Sequence, residues 1–317
     1  MTLEILVLNR AEVERLLDLR ELLGALADGF RALTAGEVAA PGRNELPGPG
    51  EAFLLGMPGR IRDGLMAVKV VTVYESNLER DLPSHLATIG LYDSDTGACR
   101  AFIDGTYITA IRTSAAAAVG CDLLAREDAR VLAIVGAGVQ GEHHLRTFPL
   151  VRGFEEIRIA SKRVQDAERL AAADPRARAL ASIEEAVRGA DVVALATHAG
   201  EPVIRPDWIA PGTHVSSVGY RPPLGELPRE LAARERLFVE TREAFAPTPV
   251  GCAELQGLNP ASGTELGEVL LGRADGRRDD SELTVYKAMG HAVEDIAAAE
   301  LVYAAALRER AGTRVAL

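Results

Sequence analysis

Followed from its first residues, the chain alternates between a helical and a strand-like hydrophobic period. Residues 11–34 set Val13, Leu16, Leu17, Leu22, Leu23, Leu26 and Phe30 on a stripe that returns every 3.6 residues, which predicts one or two amphipathic helices. A Pro/Gly cluster at 41–50 breaks the stripe. Short runs rich in apolar and β-branched residues follow at 51–55, 65–74, 86–92 and 99–103, the last two joined by an Asp95-Thr96-Gly97 turn. Consecutive strands of this kind predict an α+β unit. After Thr109 an alanine-rich helix runs to about Arg126.

Beyond it the period changes again. Val131–Val135 is an uninterrupted apolar run, the pattern of a strand buried on both faces of a parallel sheet. Strand patterns then recur at 157–160, 191–197, 214–219, 236–240 and 284–286, with helices at 164–173 and 183–188. A long helix over 289–310 carries Val293, Ile296, Leu301 and Leu307 and can return to the first unit. The predicted fold is α/β: a Rossmann-type doubly wound sheet over residues 126–288, beside an α+β domain of residues 1–125 that the C-terminal segment 289–317 rejoins.

The first buried strand runs into Gly136-Ala137-Gly138-Val139-Gln140-Gly141. Three glycines at this spacing let backbone approach a pyrophosphate, and the helix that follows aims N–H groups at the anion. Gly136, Gly138, Val139, Gln140 and Gly141 are therefore candidate dinucleotide contacts; the alternative is a glycine-rich turn that binds nothing. The second strand ends in Ser161-Lys162-Arg163, with no acid there to hold a ribose 2′-hydroxyl. A hydroxyl and two cations suit a 2′-phosphate, so NADP(H) is expected over NAD(H), unless these are solvated charges at a helix start. Thr197, Val218 and Gly219, at later strand ends, complete the expected cofactor set.

Length and charge narrow the rest. A chain of 317 residues suggests two domains. A net charge of -11, without a block of like charges, argues against nucleic acid and anionic membrane as partners and leaves small molecules. No apolar run approaches the roughly 20 residues that cross a bilayer. The opening MTLEILVLNR lacks a basic region before a signal core, so a cytoplasmic location is expected. Cys99, Cys121 and Cys252 are far apart and read as reduced packing residues, and no metal site is expected. The adjacent pair His143-His144 reads as wet or cofactor-adjacent, at a helix start.

Three side chains stand out. Lys69, in LMAVKVVTVY, either is buried with a carboxylate partner or points from the open face of an edge strand. Arg112, at the expected N-terminal edge of the alanine-rich helix, is either a two-pronged clamp for a carboxylate or a surface arginine. At such an edge, its loss is expected to cost turnover with little loss of fold. His85, after a Pro-Ser turn, is a candidate proton donor or a structural histidine.

Arg43, Met57-Pro58, Lys69, the run DGTYITAIRTSAA around Arg112, GAGVQG, Ser217-Val218-Gly219 and TVYKAMGHAVED resemble, in order and approximate spacing, the ornithine cyclodeaminase/mu-crystallin family. The resemblance implies a homodimer whose first domain binds substrate and dimerises while the second binds NAD(P). It places Arg43, Lys69 and Arg112 at the substrate carboxylate, Lys69 also at the reacting carbon's heteroatom, and Thr113 against the cofactor. The chain departs from the ornithine-cyclising members at two positions, with Leu55 where they carry a glutamate and Arg221 where they carry a catalytic aspartate. Cyclisation needs an acid to receive the distal amine, and an arginine there repels a cationic side chain.

The resemblance therefore implies an NAD(P)H-dependent reductase of a cyclic ketimine or α-imino acid, such as 1-pyrroline-2-carboxylate, with Lys69, or His85 through water, keeping the imine nitrogen protonated. Other readings stay open. They are an alanine dehydrogenase-like enzyme, an NADPH-dependent protein that binds a small ligand, and a true ornithine cyclodeaminase drawing its acid from Glu226 or Glu254.

Overall fold

Strand pairing sorts the apolar runs into two eight-stranded sheets, one in each of two compact units, Met1–Arg112 with His291–Leu317 and Thr113–Gly290. The computed structural model describes residues 4–42, 44–80, 82–248 and 250–316.

The first unit opens with β1 (Glu4–Leu8), α1 (Arg10–Leu16) and α2 (Leu19–Thr34). The predicted amphipathic stripe is two helices because it is capped twice. Asn9 and Glu12 form a reciprocal capping box on α1, and the Asp18 carboxylate accepts from the backbone N–H groups of Arg20 and Glu21 at the start of α2. There follow β2 (Val38–Ala39), β3 (Asn44–Pro47), β4 (Phe53–Ile61), β5 (Met66–Val73), β6 (His85–Tyr92) and β7 (Cys99–Asp104). The strand predicted at 51–55 thus begins at Phe53 and runs on to Ile61, and part of the Pro/Gly cluster is itself a strand.

Next comes α3 (Gly105–Leu124), which begins earlier than its alanines suggest because the Asp104 carboxylate accepts from Tyr107 N at 2.9 Å. Arg112 consequently lies about two turns inside the helix rather than at its edge. The two units part inside α3, between Arg112 and Thr113, whereas the pattern of elements predicts a break at 125/126, where the alanine-rich helix gives way to the first buried strand.

The second unit contains β8 (Val131–Val135), α4 (Val139–Thr147), β9 (Glu156–Ala160), α5 (Val164–Ala171), β10 (Ala177–Ala179), α6 (Ile183–Val187) and β11 (Val192–Leu195). It continues with β12 (His214–Ser217), α7 (Arg229–Arg234), β13 (Arg236–Val239), β14 (Gly263–Glu265), α8 (Leu266–Leu270) and β15 (Thr284–Lys287). All its registers are parallel, in the order β10-β9-β8-β11-β12-β15-β13-β14. Every residue of β11, β12 and β15 is buried, as a sheet covered on both faces requires. The winding reverses at β8, with β9 on one side and β11 on the other, and such a switch point is where doubly wound sheets bind ligands. In the same unit α3 packs closely on β15: a Cβ at Gly120 would meet the Tyr286 ring at 2.9 Å.

The chain returns to the first unit with α9 (Ala292–Glu309) and β16 (Thr313–Ala316). The sheet order there is β16-β1-β7-β6-β5-β4-β2, with β3 paired to β4. Glycines on its neighbours let α9 press on them: a Cβ at Gly29 of α2 would stand 3.2 Å from Val293, and one at Gly59 of β4 would stand 2.9 Å from Ile296. The pleat then divides the sheet. Ala67, Lys69 and Val71 share the inner face with Ile89, Leu91, Ala101 and Ile103, while Met66, Leu86 and Phe102 stand exposed on the outer one.

Among the described residues no helix is long and apolar enough to cross a membrane. The three cysteines are free; Cys121 and Cys252 are buried, and burial pushes each thiol up to about 12. His143 and His144 are not wet as expected, since α4 turns both into the interior. His144 Nδ1 lies 2.7 Å from the carbonyl oxygen of Gln140 and its ring stacks on Phe148, so burial lowers its pKa from 6.5 to about 4.

Candidate active site

In the first unit, Lys69 is placed on the core face of β5 by the strand's alternation and is only 2 % exposed. That excludes the open-face reading. A buried ammonium needs an anion, and α9 supplies it: Lys69 Nζ stands 2.6 Å from Asp295 Oδ2. Arg112, 5 % exposed on α3, donates through Nε to Asp295 Oδ1 at 2.9 Å and through Nη1 to Glu294 Oε2 at 2.8 Å. The other Glu294 oxygen accepts from His291 N at 2.7 Å, so this acid both caps α9 and holds Arg112. Burial works against the charge of Asp295, but the adjacent Arg112 and Lys69 outweigh it and hold its carboxyl below the usual range. Lys69 and Arg112 therefore belong to a charge-balanced cluster of two cations and two acids.

Neither acid was singled out from the sequence. The signal lies in TVYKAMGHAVED, where adjacent acids stand in the first turn of a helix and are followed directly by the apolar run Ile296–Ala299. His85 is exposed at the start of β6, its Nδ1 3.1 Å from Ser84 Oγ, and it pairs with Val73, four residues along the strands from the Lys69–Ile89 pair. Arg43 lies outside the described residues. Leu55 is half-buried and packs with Val71, Val73 and Ala87, and Arg221 is exposed in the loop after β12.

In the second unit, the glycine turn joins β8 to α4 at the switch point. Gly136 has φ +114°, and a Cβ on it would stand 2.4 Å from the Ala196 carbonyl oxygen; one on Gly141 would stand 2.0 Å from that of Gly136. Those two glycines are required by the turn itself. Gly138 is different: φ is -88°, and a Cβ there would meet nothing within 4 Å. The open space beside Gly138 fits the close approach of a pyrophosphate, and no side chain caps α4 there. Val139 is exposed and Gln140 half-buried on the first turn of α4, and Thr113 is half-buried on α3.

Ser161, Lys162 and Arg163 follow β9 directly, as expected. Arg163 is 77 % exposed and donates to Asp166 at 2.7 Å, a surface pair shared with Arg169. Pairs of this kind are worth at most about 1 kcal/mol, so Arg163 is free to exchange its partner.

Thr197, Val218 and Gly219 lie in the loops that follow β11 and β12. The buried Glu226 binds both loops, accepting from Thr197 N, Thr197 Oγ1, Ser217 Oγ and Gly219 N at 2.7, 2.6, 2.9 and 2.7 Å. Lys287 Nζ donates to Gly219 O at 2.6 Å and pairs with buried Glu254 at 3.0 Å. Burial opposes the charge of Lys287, but Glu254 and its other neighbours hold its pKa above the ordinary value. Glu226 and Glu254 are thus both committed inside the second unit. Among the described residues no group of three or more His, Cys, Asp or Glu is arranged for a metal ion.

A parallel doubly wound sheet with an open glycine turn at its switch point defines a dinucleotide-binding protein of the Rossmann type. The chain belongs to the ornithine cyclodeaminase/mu-crystallin family, whose sequence profile matches residues 3–310. It is 38 % identical to the ketimine reductase mu-crystallin of Mus musculus over 272 residues, covering 84 % of this chain and 85 % of that one. Its structure is similar to that of Thermococcus litoralis Δ1-pyrroline-2-carboxylate reductase in complex with NADH and L-proline, with a TM-score of 0.91, 32 % identity, and 98 % and 100 % of the two chains covered. An archaeal alanine dehydrogenase dimer with bound NAD is similar at a TM-score of 0.87 and 28 % identity, covering 99 % of each chain.

Proposed function

We propose that this protein is an NAD(P)H-dependent oxidoreductase that reduces the C=N bond of an α-imino acid, with a cyclic ketimine such as 1-pyrroline-2-carboxylate as its reference substrate. The observation that carries this reading is the buried Lys69–Asp295–Arg112–Glu294 cluster in a chain that also bears an open dinucleotide turn. Relatives that reduce ketimines and pyrroline-2-carboxylate support it. With Arg43 added from the family pattern, three cations stand against two acids, and one substrate carboxylate closes the balance. A cationic distal amine, as in ornithine, has no acid at Leu55 or Arg221 to receive it.

The dinucleotide supplies the hydride when bound. It is held by the turn from Gly136 to Gly141 with Val139 and Gln140, and by Thr113, Thr197, Val218 and Gly219. Ser161, Lys162 and Arg163 take a 2′-phosphate, which makes NADPH the favoured form. In the first unit, Arg43 and Arg112 hold the substrate carboxylate, and Lys69 places its ammonium at the imine nitrogen, where a proton lowers the barrier to hydride addition. Asp295 gives that ammonium its counter-ion. Orientation supplies most of the rate.

The working form is a homodimer. The exposed outer face of the first sheet, with Leu46, Met66, Leu86 and Phe102, is an apolar surface of the kind that a second copy covers. Phe102→Glu is expected to shift sedimentation from dimer to monomer.

The test of the reaction is a panel of cyclic imines, pyruvate with ammonia or methylamine, and ornithine, followed by NADPH absorbance. Consumption with an imino acid supports the reading; ammonia release from ornithine without net dinucleotide consumption overturns it.

A further inference from the structure

The strand-end loops after β11 and β12 are tied to one carboxylate. Glu226 Oε2 accepts from both N and Oγ1 of Thr197, and Oε1 accepts from Ser217 Oγ and Gly219 N. The fit leaves no slack: a Cβ on Gly219 would stand 2.8 Å from the Glu226 carboxylate and 1.9 Å from the Thr197 carbonyl oxygen. The same loop touches the glycine turn, since a Cβ on Gly136 would stand 2.4 Å from Ala196 O and 3.2 Å from Thr197 Cγ2. Lys287 completes the tie from the far side, donating to Gly219 O and to Ser217 Oγ at 2.6 and 3.1 Å.

We infer that Glu226 is a positioning residue for the dinucleotide, a carboxylate clamp that holds the loops of Thr197 and Gly219 against the glycine turn in the shape the cofactor binds. The inference rests on the dinucleotide reading above and assigns Glu226 no contact with substrate or cofactor. A carboxylate is needed because all four of its partners donate. Glutamine keeps the shape and loses that property. Whichever way its amide is turned, the NH2 group faces one hydroxyl and one peptide N–H; the hydroxyl can rotate and accept, but the peptide N–H of Thr197 or of Gly219 is left without an acceptor.

The experiment measures the dissociation constants of NADH and NADPH by nucleotide fluorescence, and amide hydrogen exchange of the protein without nucleotide, in wild type, Glu226→Gln and Ser217→Ala. For Glu226→Gln both dissociation constants are expected to rise by about tenfold, the equivalent of one lost acceptor. The rise should be equal for the two nucleotides, because the clamp does not reach the 2′-phosphate. Exchange at the Thr197 and Gly219 amides should speed up while β8 keeps its protection, which a general loss of stability does not produce.

Ser217→Ala removes one donor and orphans no peptide group. It is expected to speed exchange at Gly219 alone, and it carries the test should Glu226→Gln not fold. Unchanged nucleotide affinity with unchanged exchange in Glu226→Gln, or unchanged exchange in Ser217→Ala when that variant stands alone, overturns the inference. Wild type that binds neither nucleotide overturns the dinucleotide reading instead, and the exchange data still report on the clamp.

Discussion

The Asp295 carboxylate lies 2.6 Å from Lys69 Nζ, and its second oxygen accepts from Arg112 Nε at 2.9 Å. One acid of α9 thereby fixes a cation from β5 and another from α3. Removing one partner of a buried pair costs about 3–5 kcal/mol, because the other charge is left uncompensated. Asp295→Ala is expected to lose stability on that scale in urea unfolding. The folded-state pKa of Asp295 lies below 3.8, so its contribution is complete above the ordinary carboxylate range and is lost as pH falls through the lower folded-state value. The stability gap between wild type and variant should therefore be full at pH 7 and shrink in strong acid; a gap that grows on acidification contradicts the assignment.

Arg112 behaves differently from a clamp at a helix edge. Because it is buried and holds both Glu294 and Asp295, Arg112→Ala should cost fold as well as turnover, again by about 3–5 kcal/mol. Arg112→Lys keeps the charge but cannot span both acids, and it should fall between wild type and alanine. Chemical denaturation of the three proteins decides the matter; equal midpoints mean that the cluster is not a structural tie.

How far such features could be read in advance depended on whether their partners are local. The strand of β8 and its glycines announce themselves within a dozen residues, because burial on both faces and a tight turn each leave a compositional mark. The choice left open at Lys69 was decided by the pleat that aligns it with Ala67 and Val71, and by an acid near the other end of the chain, which no periodicity connects to it. The early start of α3 was hidden because its cap is Asp104, at the end of a strand. The short strand β1 pairs with β16 and β7, and both β1 and β16 carry too few residues for a pattern. Glu226 gave no sign of its role, since its four donors come from two separate loops.

Two buried histidines give the second unit an acid threshold. Burial lowers His144 from 6.5 to about 4 and His214 from 6.5 to about 3. Each stays neutral in the folded state where the unfolded chain takes a proton, so stability is complete above pH 6.5 and falls as pH drops toward the folded-state values. The loss is up to about 1.4 kcal/mol per pH unit for each group. His144→Phe keeps a ring beside Phe148 and removes one titration; its stability should fall less steeply between pH 6 and 4.5 in thermal unfolding. Parallel curves for the two proteins would exclude this mechanism.

On the proposed reading, cofactor choice turns on Arg163. Its bond to Asp166 is exposed and weak, so a 2′-phosphate can replace it, and wild type should show the higher kcat/KM with NADPH. Arg163→Ala should lower kcat/KM for NADPH by roughly tenfold, one charge-assisted contact, and leave NADH almost unchanged. An NADH preference in wild type, or the same ratio in the variant, removes Arg163 from the cofactor site.

The transfer of a hydride to an imino carbon is tested most directly with NADPH deuterated at C4 on each face in turn and 1-pyrroline-2-carboxylate, followed by mass spectrometry of the product. One of the two labelled forms should place one deuterium on the α-carbon of proline for each dinucleotide oxidised, and the other none. Proline without deuterium from either form, or no oxidation with any imino acid while ornithine releases ammonia, would show that the cluster of Lys69, Arg112, Glu294 and Asp295 serves a different reaction.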